Sequence, residues 1–261
     1  MLIDTHTHLY SKKFDHDRDG MIARALAAGV ERMYLPAIDS ETHEAMLLLE
    51  EKHPEHCFAM MGLHPCSVAE NFEEELAIVE KYLGERKFTA IGEMGIDLYW
   101  EKKFLAEQKE AFRRQANWAK SLGLPIVIHA RESLDICIEL VREAQDGRLG
   151  VIFHCFTGTV EQAKQITDLG FYLGIGGVLT YPKGGLDTVC AEIPLEAMVL
   201  ETDSPYLPPV PHRGKRNESA YVRLVAERLS EVKIRPLKEV ARVTTSNALK
   251  IFKAEIAETV G

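Results

Sequence analysis

Eight short apolar runs, evenly spaced and rich in β-branched residues, constrain the fold of this chain more than any other feature. They cover residues 2–6, 33–38, 57–62, 88–92, 124–129, 150–155, 171–176 and 198–202. Each run has the length and composition of a buried strand, and amphipathic stretches with polar caps separate the runs. Strand and helix therefore alternate eight times, which predicts an α/β protein with a parallel TIM (β/α)8 barrel.

The ends of the helical stretches support this alternation. Glycines at positions where a left-handed residue can close a helix follow four of them: Gly29, Gly84, Gly123 and Gly170. The T-x-x-Q segment at 159–162 has the form of a capping box after the sixth run. A doubly wound sheet is disfavoured, because no G-x-G-x-x-G turn follows the first run.

Length and composition indicate one barrel in a reducing compartment. The 261 residues match a single barrel domain over 1–261. No apolar run approaches the roughly 20 residues of a membrane span, and the first residues lack the pattern of a signal peptide. The five cysteines are scattered and never form a C-x-x-C pair. We therefore expect a cytoplasmic protein without a membrane partner or an obligate protein partner.

The charge balance restricts how the chain could bind phosphate. It has 40 acidic and 31 basic residues, for a formal net charge of −9. An acidic chain is a poor general coat for nucleic acid or membrane. Any phosphate-bearing substrate would have to be attracted by a local site.

Possible metal ligands follow most of the predicted strands. They are His6, His8, His64, Glu93, His129, His154, Glu201 and Asp203. The carboxyl ends of barrel strands meet at one mouth, so these side chains are expected to converge there. An H-x-H pair alone is weak evidence, since a buried histidine can simply bond to a carbonyl. Burying four histidines and two carboxylates together without cations would leave unpaired groups, so metal binding is the more favourable interpretation.

The number of ligands predicts two ions. Six of these residues are taken as ligands: His6, His8, Glu93, His129, His154 and Asp203. Six nitrogen and oxygen ligands are more than one tetrahedral ion needs, but they suit two ions that share a carboxylate, for which Glu93 is the natural bridge. The predicted assignment is His6, His8, Glu93 and Asp203 on one metal, and Glu93, His129 and His154 on the other. The ligand types alone leave the metal undetermined.

Six segments together resemble the TatD family of metal-dependent deoxyribonucleases, within the amidohydrolase-type metal barrels. They are D-T-H-T-H at 4–8, G-L-H-P at 62–65, G-E-M-G-I-D at 92–97, P-I-V-I-H-A-R at 125–131, H-C-F-T-G at 154–158 and L-E-T-D-S-P-Y-L at 200–207. One departure is Ser219, where the family usually places a proline.

The resemblance implies a chemistry for this mouth. It implies phosphodiester hydrolysis by a metal-activated water with two Mg²⁺, Mn²⁺ or Zn²⁺ ions. The common form is a 3′→5′ exonuclease on DNA, single-stranded or at 3′ ends, with RNA possible. We expect Asp203 and Glu93 to be catalytic, with Asp203 as general base, and Glu201 and Asp97 to orient the ligands from behind.

Other residues are candidates for substrate contact. His64 is expected to touch the substrate or lie outside the ligand set, because six ligands already account for both ions. Arg131 either meets the scissile phosphate or pairs with Asp97, and the sequence favours neither. Three cations are further candidates for phosphate contact, with a solvated run of charges as the alternative: Arg213, Lys215 and Arg216. Three aromatic residues either stack on unpaired bases or pack against the protein: Tyr206, Tyr99 and Trp100.

Two rival functions stay open on the sequence. An amidohydrolase or lactonase would use the same metals on a small amide or ester, and an apolar pocket at the mouth would favour it. Cationic and aromatic loops would instead favour a nucleotide. A scaffold that keeps its metals only for stability would bind them without turnover.

Overall fold

A computed structural model, which describes residues 1–254, shows eight strands interleaved with helices. The strands are β1 (Leu2–Asp4), β2 (Val30–Pro36), β3 (Cys57–Met60), β4 (Ile91–Asp97), β5 (Ile126–Arg131), β6 (Val151–Phe153), β7 (Tyr172–Ile175) and β8 (Met198–Leu200). The helices are α1 (Arg18–Ala27), α2 (Ser40–Lys52), α3 (Phe72–Glu85), α4 (Leu105–Leu122), α5 (Leu134–Ala144), α6 (Val160–Asp168), α7 (Leu186–Glu192), α8 (Val222–Lys233) and α9 (Leu237–Ile251).

The strands close into a ring. They pair in parallel as two sheets, β1 to β3 and β4 to β8, in sequence order. A parallel bridge between Met61 and Ile91 joins β3 to β4, and another between Thr7 and Ser204 joins the ends of β8 and β1. The predicted parallel barrel is confirmed, and its closure brings the first and last strands side by side.

The interior of the ring is apolar at its amino-terminal end. Seven buried residues, one from each of seven strand segments, pack in one cluster: Ile3, Tyr34, Met60, Ala90, Val127, Ile152 and Val199. Helix α9 closes this end, with the ring of Phe252 stacked on Tyr34 at 3.8 Å between centroids. Alternate strand residues such as Met33 and Leu35 pack in the larger core with the helices. The polar residues are therefore left to the opposite end of the ring.

Two predicted strand ends were wrong. The run at 88–92 was expected to end before Glu93, but β4 covers Ile91–Asp97, and β5 continues past His129 to Arg131. Glu93 and His129 thus lie within strands. A strand predicted from a run of apolar residues ends where the first ionisable residue occurs. In the barrel, the hydrogen-bonded strands extend past that residue into the polar mouth.

The helix ends follow the sequence with one exception. Gly29, Gly123 and Gly170 have positive φ, as predicted, while Gly84 lies within α3 and has no left-handed conformation. The capping box is confirmed by its two reciprocal bonds at 159–162. Within residues 1–254, no helix is both long and apolar enough to cross a membrane.

Gly95 generates a first prediction, because the backbone of β5 leaves no room for a side chain there. It has a φ of 150°, it is paired with His129, and a Cβ at this position would overlap the His129 carbonyl oxygen. Gly95→Ala should lower the free energy of unfolding by about 2 kcal/mol or more, measured by chemical denaturation. Gly84→Ala is the matched control, with open space around its Cβ, and should raise it by up to about 1 kcal/mol. Parental stability of Gly95→Ala would contradict the close approach.

Candidate metal centre

Closure of the barrel places the first-strand histidines beside Asp203. The backbone N–H of Asp203 donates to the carbonyl of His6 at 2.9 Å, and the N–H of His8 donates to the carbonyl of Ser204 at 2.7 Å. The side chain of Asp203 has its Oδ1 3.6 Å from Nε2 of His8 and 4.0 Å from Nε2 of His6. Residues almost two hundred positions apart therefore share one side of the mouth.

A buried carboxyl group fastens these two strand ends from below. Asp4 accepts hydrogen bonds from the hydroxyl of Thr202 at 2.6 Å and from its backbone N–H at 2.9 Å. Burial raises the pKa of Asp4 to about 7, although the bonds from Thr202 oppose this. The D-T-H-T-H segment thus contributes a tie to β8 as well as two histidines.

Glu93 lies at the centre of the mouth, and its two oxygens face different histidines. Its Oε2 is 3.1 Å from Nε2 of His6 and 3.5 Å from Nε2 of His8. Its Oε1 is 2.8 Å from Nε2 of His154 and 2.9 Å from Nδ1 of His129. One oxygen of Glu93 thus faces the histidines after β1, and the other faces those of β5 and β6.

The histidines keep Glu93 ionised despite its burial. Burial alone would raise the pKa of Glu93, but His154, His64 and His6 outweigh it and hold the pKa well below its ordinary value. Burial would likewise lower the pKa of His154, yet Glu93 and Glu201 hold it well above its usual range. The centre is thus a buried anion surrounded by imidazoles.

Tyr10 fixes the tautomer of His8. The Tyr10 hydroxyl has one proton, which it donates to the carbonyl of Pro36 at 2.6 Å. At 2.8 Å from the same hydroxyl oxygen, Nδ1 of His8 must therefore be the donor. Its Nε2 is left with a free lone pair directed at Glu93 and Asp203. Tyr10 is not among the site residues predicted from the sequence, although its position two residues after His8 on an extended segment is a signal.

Two carboxylates lie behind the other pair of histidines. Oδ2 of Asp97 is 2.9 Å from Nε2 of His129, and Oε1 of Glu201 is 3.3 Å from Nδ1 of His154. In each case the carboxylate contacts the ring nitrogen that points away from Glu93. A carboxylate in that position orients an imidazole and makes it a better ligand.

His64 lies beside Glu93. Its Nε2 is 3.4 Å from Oε1 of Glu93, and its Nδ1 accepts the backbone N–H of Cys66 at 3.0 Å. Because Nδ1 accepts a hydrogen bond, Nε2 carries the ring proton and faces the carboxylate as a donor. A role in contact with substrate, or outside the ligand set, stays the prediction for His64.

The donor atoms fit divalent cations. Three groups of ligand atoms lie within 4.8 Å of one another: His6, His8 and Asp203; His6, Glu93 and His154; and His64, Glu93 and His129. Nδ1 of His6 and Oε2 of Glu201 are buried without a hydrogen-bond partner among the described residues. The rings of His6 and His154 are stacked at 3.7 Å with both Nε2 atoms near one carboxylate. Clustered imidazole nitrogens and carboxylate oxygens are typical ligands of zinc and manganese, and shared carboxylates also accept magnesium.

Arg131 stacks on an aromatic ring at the rim. Its guanidinium lies 3.7 Å from the ring centroid of Tyr99, while Asp97 faces His129. In the described part of the chain, the ion pair between Arg131 and Asp97 is therefore not formed. Of the two interpretations of Arg131, only contact with substrate stays a prediction.

The three cations of the loop after β8 have different surroundings. Arg216 forms an ion pair with Asp17 at 2.6 Å, which engages it in the fold. The guanidinium of Arg213 lies 4.1 Å over the ring of Tyr181, and Lys215 is exposed. The three residues are neighbours in the sequence. In the structure, Arg213 and Lys215 are the more accessible charges, because Arg216 is paired with Asp17.

Tyr206 lies beside the candidate ligand His8 and is half-exposed. Its ring centroid is 6.0 Å from that of His8, and Nζ of Lys13 lies 4.6 Å above its ring. The side-chain amide of Asn217 donates to the carbonyls of Tyr206 and Thr202 at 2.6 and 2.7 Å, which fixes the loop at this place. Lys13 adds a cation that is not among the residues predicted from the sequence.

Comparisons with known proteins identify the family of this chain. A family model described as TatD related DNase matches residues 3–253. The chain is 40% identical to the metal-dependent hydrolase YabD of Bacillus subtilis, over 97% of this chain and 99% of that protein. It is 32% identical to the 3′-5′ ssDNA/RNA exonuclease TatD of Cronobacter sakazakii, over 96% and 97%. The crystal structure of YjjV, a TatD homologue of Escherichia coli, superposes with a TM-score of 0.92 at 30% identity, covering 97% of this chain and 98% of that one.

The divided environment of Glu93 predicts how metal content responds to substitution. Glu93→Gln should reduce the metal retained at both positions, because each of its oxygens faces a different set of histidines. His154→Ala should reduce only the metal on the Oε1 side. Elemental analysis after dialysis, with exposed Glu80→Gln as control, measures the ions per chain. Equal retention in Glu93→Gln and the control would contradict a bridging role.

Proposed function

Because the chain belongs to the TatD-related DNase family, we propose that it is a nuclease. Its expected reaction is 3′→5′ exonucleolytic hydrolysis of DNA, single-stranded or at 3′ ends, with RNA as a further substrate. Membership of the family makes it a metal-dependent hydrolase, and the choice of substrate is the proposal. The exonuclease from Cronobacter sakazakii supports that choice at 32% identity.

The observation that carries the proposal is the chemistry of the rim. Cations paired with aromatic rings lie on both sides of the centre, with Arg131 on Tyr99 after β4 and Lys13 on Tyr206 after β8. A nucleotide offers a phosphate to such cations and a flat base to such rings. The chain carries a net charge of −9, so this local concentration of cations is not a general property of its surface.

We assign the ligands in two sets that share Glu93. His6, His8 and Asp203 complete the first, on the Oε2 side, and His129 and His154 complete the second, on the Oε1 side, with His64 beside the second. Two divalent cations bound there would stabilise the charge that develops on the phosphodiester and make water more acidic. Asp97 and Glu201 orient the imidazoles of the second set.

Asp203 is the residue best placed to accept the proton of the attacking water. Its side chain is 15% exposed, whereas that of Glu93 is 3% exposed, so of these two carboxylates Asp203 is the more open to water. Burial would raise the pKa of Asp203, but the neighbouring imidazoles of His8, His154 and His6 outweigh it and lower the pKa. The carboxylate is therefore ionised at neutral pH and can accept a proton.

A substrate panel tests the proposal directly. Metal-reconstituted protein is incubated with end-labelled single-stranded DNA, duplex DNA, RNA, and a set of lactones and amides, with and without chelator. We expect single-stranded DNA to shorten from its 3′ end, and chelator to stop the reaction. Turnover confined to lactones or amides would instead favour the amidohydrolase alternative, and metal binding without any turnover would favour a scaffold.

Replacing the proposed base separates its role from folding. Asp203→Asn keeps an oxygen but loses the charge and the capacity to accept a proton, so kcat on single-stranded DNA should fall by about 10²–10⁴-fold with KM much less affected. Glu201→Gln, which alters only a residue behind His154, should cost less. A kcat for Asp203→Asn within a few-fold of the parent at saturating metal would exclude this role, and His64 would be the next residue to test.

A further inference from the structure

Two aromatic rings protrude into solvent where β4 leaves the barrel. Trp100 is 71% exposed and Tyr99 is 49% exposed. Their ring centroids are 4.8 Å apart and their planes are nearly perpendicular, at 88°. An exposed tryptophan contributes little of the free energy of folding that its burial would provide. The sequence allowed packing or stacking for these residues, and the exposure of Trp100 excludes packing as its main role.

The exposed rings are anchored to the metal centre through one carboxylate. Oδ1 of Asp97 accepts the backbone N–H of Tyr99 at 2.9 Å and that of Trp100 at 3.2 Å. Oδ2 of the same residue is 2.9 Å from Nε2 of His129. The backbone is thus held beside the centre while the indole itself stays uncovered.

A cation lies against the same rings. The guanidinium of Arg131 is 3.7 Å from the centroid of Tyr99 and 5.5 Å from that of Trp100. Arg131 ends β5 two residues after His129, so its charge is at the rim of the same mouth. A flat ring with a cation behind it offers stacking to a base and attraction to the adjoining phosphate.

We propose that Trp100 is a base-stacking residue that selects unpaired strands. This inference rests on the proposed nuclease function, and it assigns the rings of Trp100 and Tyr99 with Arg131 as the subsite for one unpaired nucleobase of the substrate strand. A base within a duplex has no free face to offer, so the subsite favours single strands and frayed ends. Stacking of this kind accounts for about 5- to 150-fold in affinity for each base.

The test compares two ligands of equal charge. Metal-reconstituted protein is titrated with a hydrolysis-resistant phosphorothioate oligothymidine and with an abasic oligomer of the same length and linkages, and binding is followed by fluorescence anisotropy. The parent should prefer the oligothymidine by at least about 5-fold. Trp100→Ala should lower that preference by about 5-fold or more, with any remainder contributed by Tyr206, while Trp100→Phe, which keeps a ring, should retain more of it than Trp100→Ala.

The second tryptophan of the chain provides the matched control. The chain has two tryptophans, and Trp118, whose indole donates to Glu80, lies on α4. Trp118→Phe should keep the parental preference for bases. It also leaves Trp100 as the single tryptophan, so its fluorescence should be quenched by oligothymidine and not by the abasic oligomer.

The outcomes separate this inference from the proposed function. If the parent binds and cleaves DNA and Trp100→Ala keeps the full preference for bases, the stacking subsite is wrong and the nuclease proposal stands. If the parent binds neither oligomer and cleaves no nucleic acid, both are overturned. Thermal unfolding of Trp100→Ala at the parental midpoint ensures that a lost preference reflects the missing ring.

Discussion

The carboxylate of Glu93, buried within a ring of imidazoles, is the interaction on which the rest of the site depends. A buried charge is unfavourable unless it is paired, and histidines from four different strand ends lie within 3.5 Å of its two oxygens. Every one of those contacts requires the strands to run parallel and in register. The pairing of the buried Glu93 carboxylate therefore depends on the arrangement of the barrel strands.

Closure of the ring is the second constraint. The Asp4 carboxyl group joins β1 to Thr202 after β8, and the bridge between Thr7 and Ser204 continues that seam. Without closure, the histidines of the first strand and Asp203 of the last would lie at opposite edges of an open sheet. At the other end, α9 covers the apolar interior, which leaves the polar end as the one that opens to solvent.

The rim explains how an acidic protein could bind a polyanion. Its cations are few, and three of them lie over aromatic rings: Arg131 on Tyr99, Lys13 on Tyr206 and Arg213 on Tyr181. The ring supports the cation and also offers a face to a base, so charge and stacking are supplied together. Arg216 differs from these cations, because its guanidinium forms an ion pair with Asp17 and so holds the loop after β8 in place.

The sequence by itself determined the alternation of strands and helices, the barrel, and the set of residues at its mouth, because hydrophobic periodicity and polar strand ends are local properties. Tertiary structure alone decided the register that places Glu93 inside β4, the approach of His64 to Glu93, and the tautomer that Tyr10 imposes on His8. It also decided that Arg216 is paired while Trp100 is exposed. These depend on which groups from distant segments meet across the closed ring, and no local pattern records the distance between two side chains that the fold brings together.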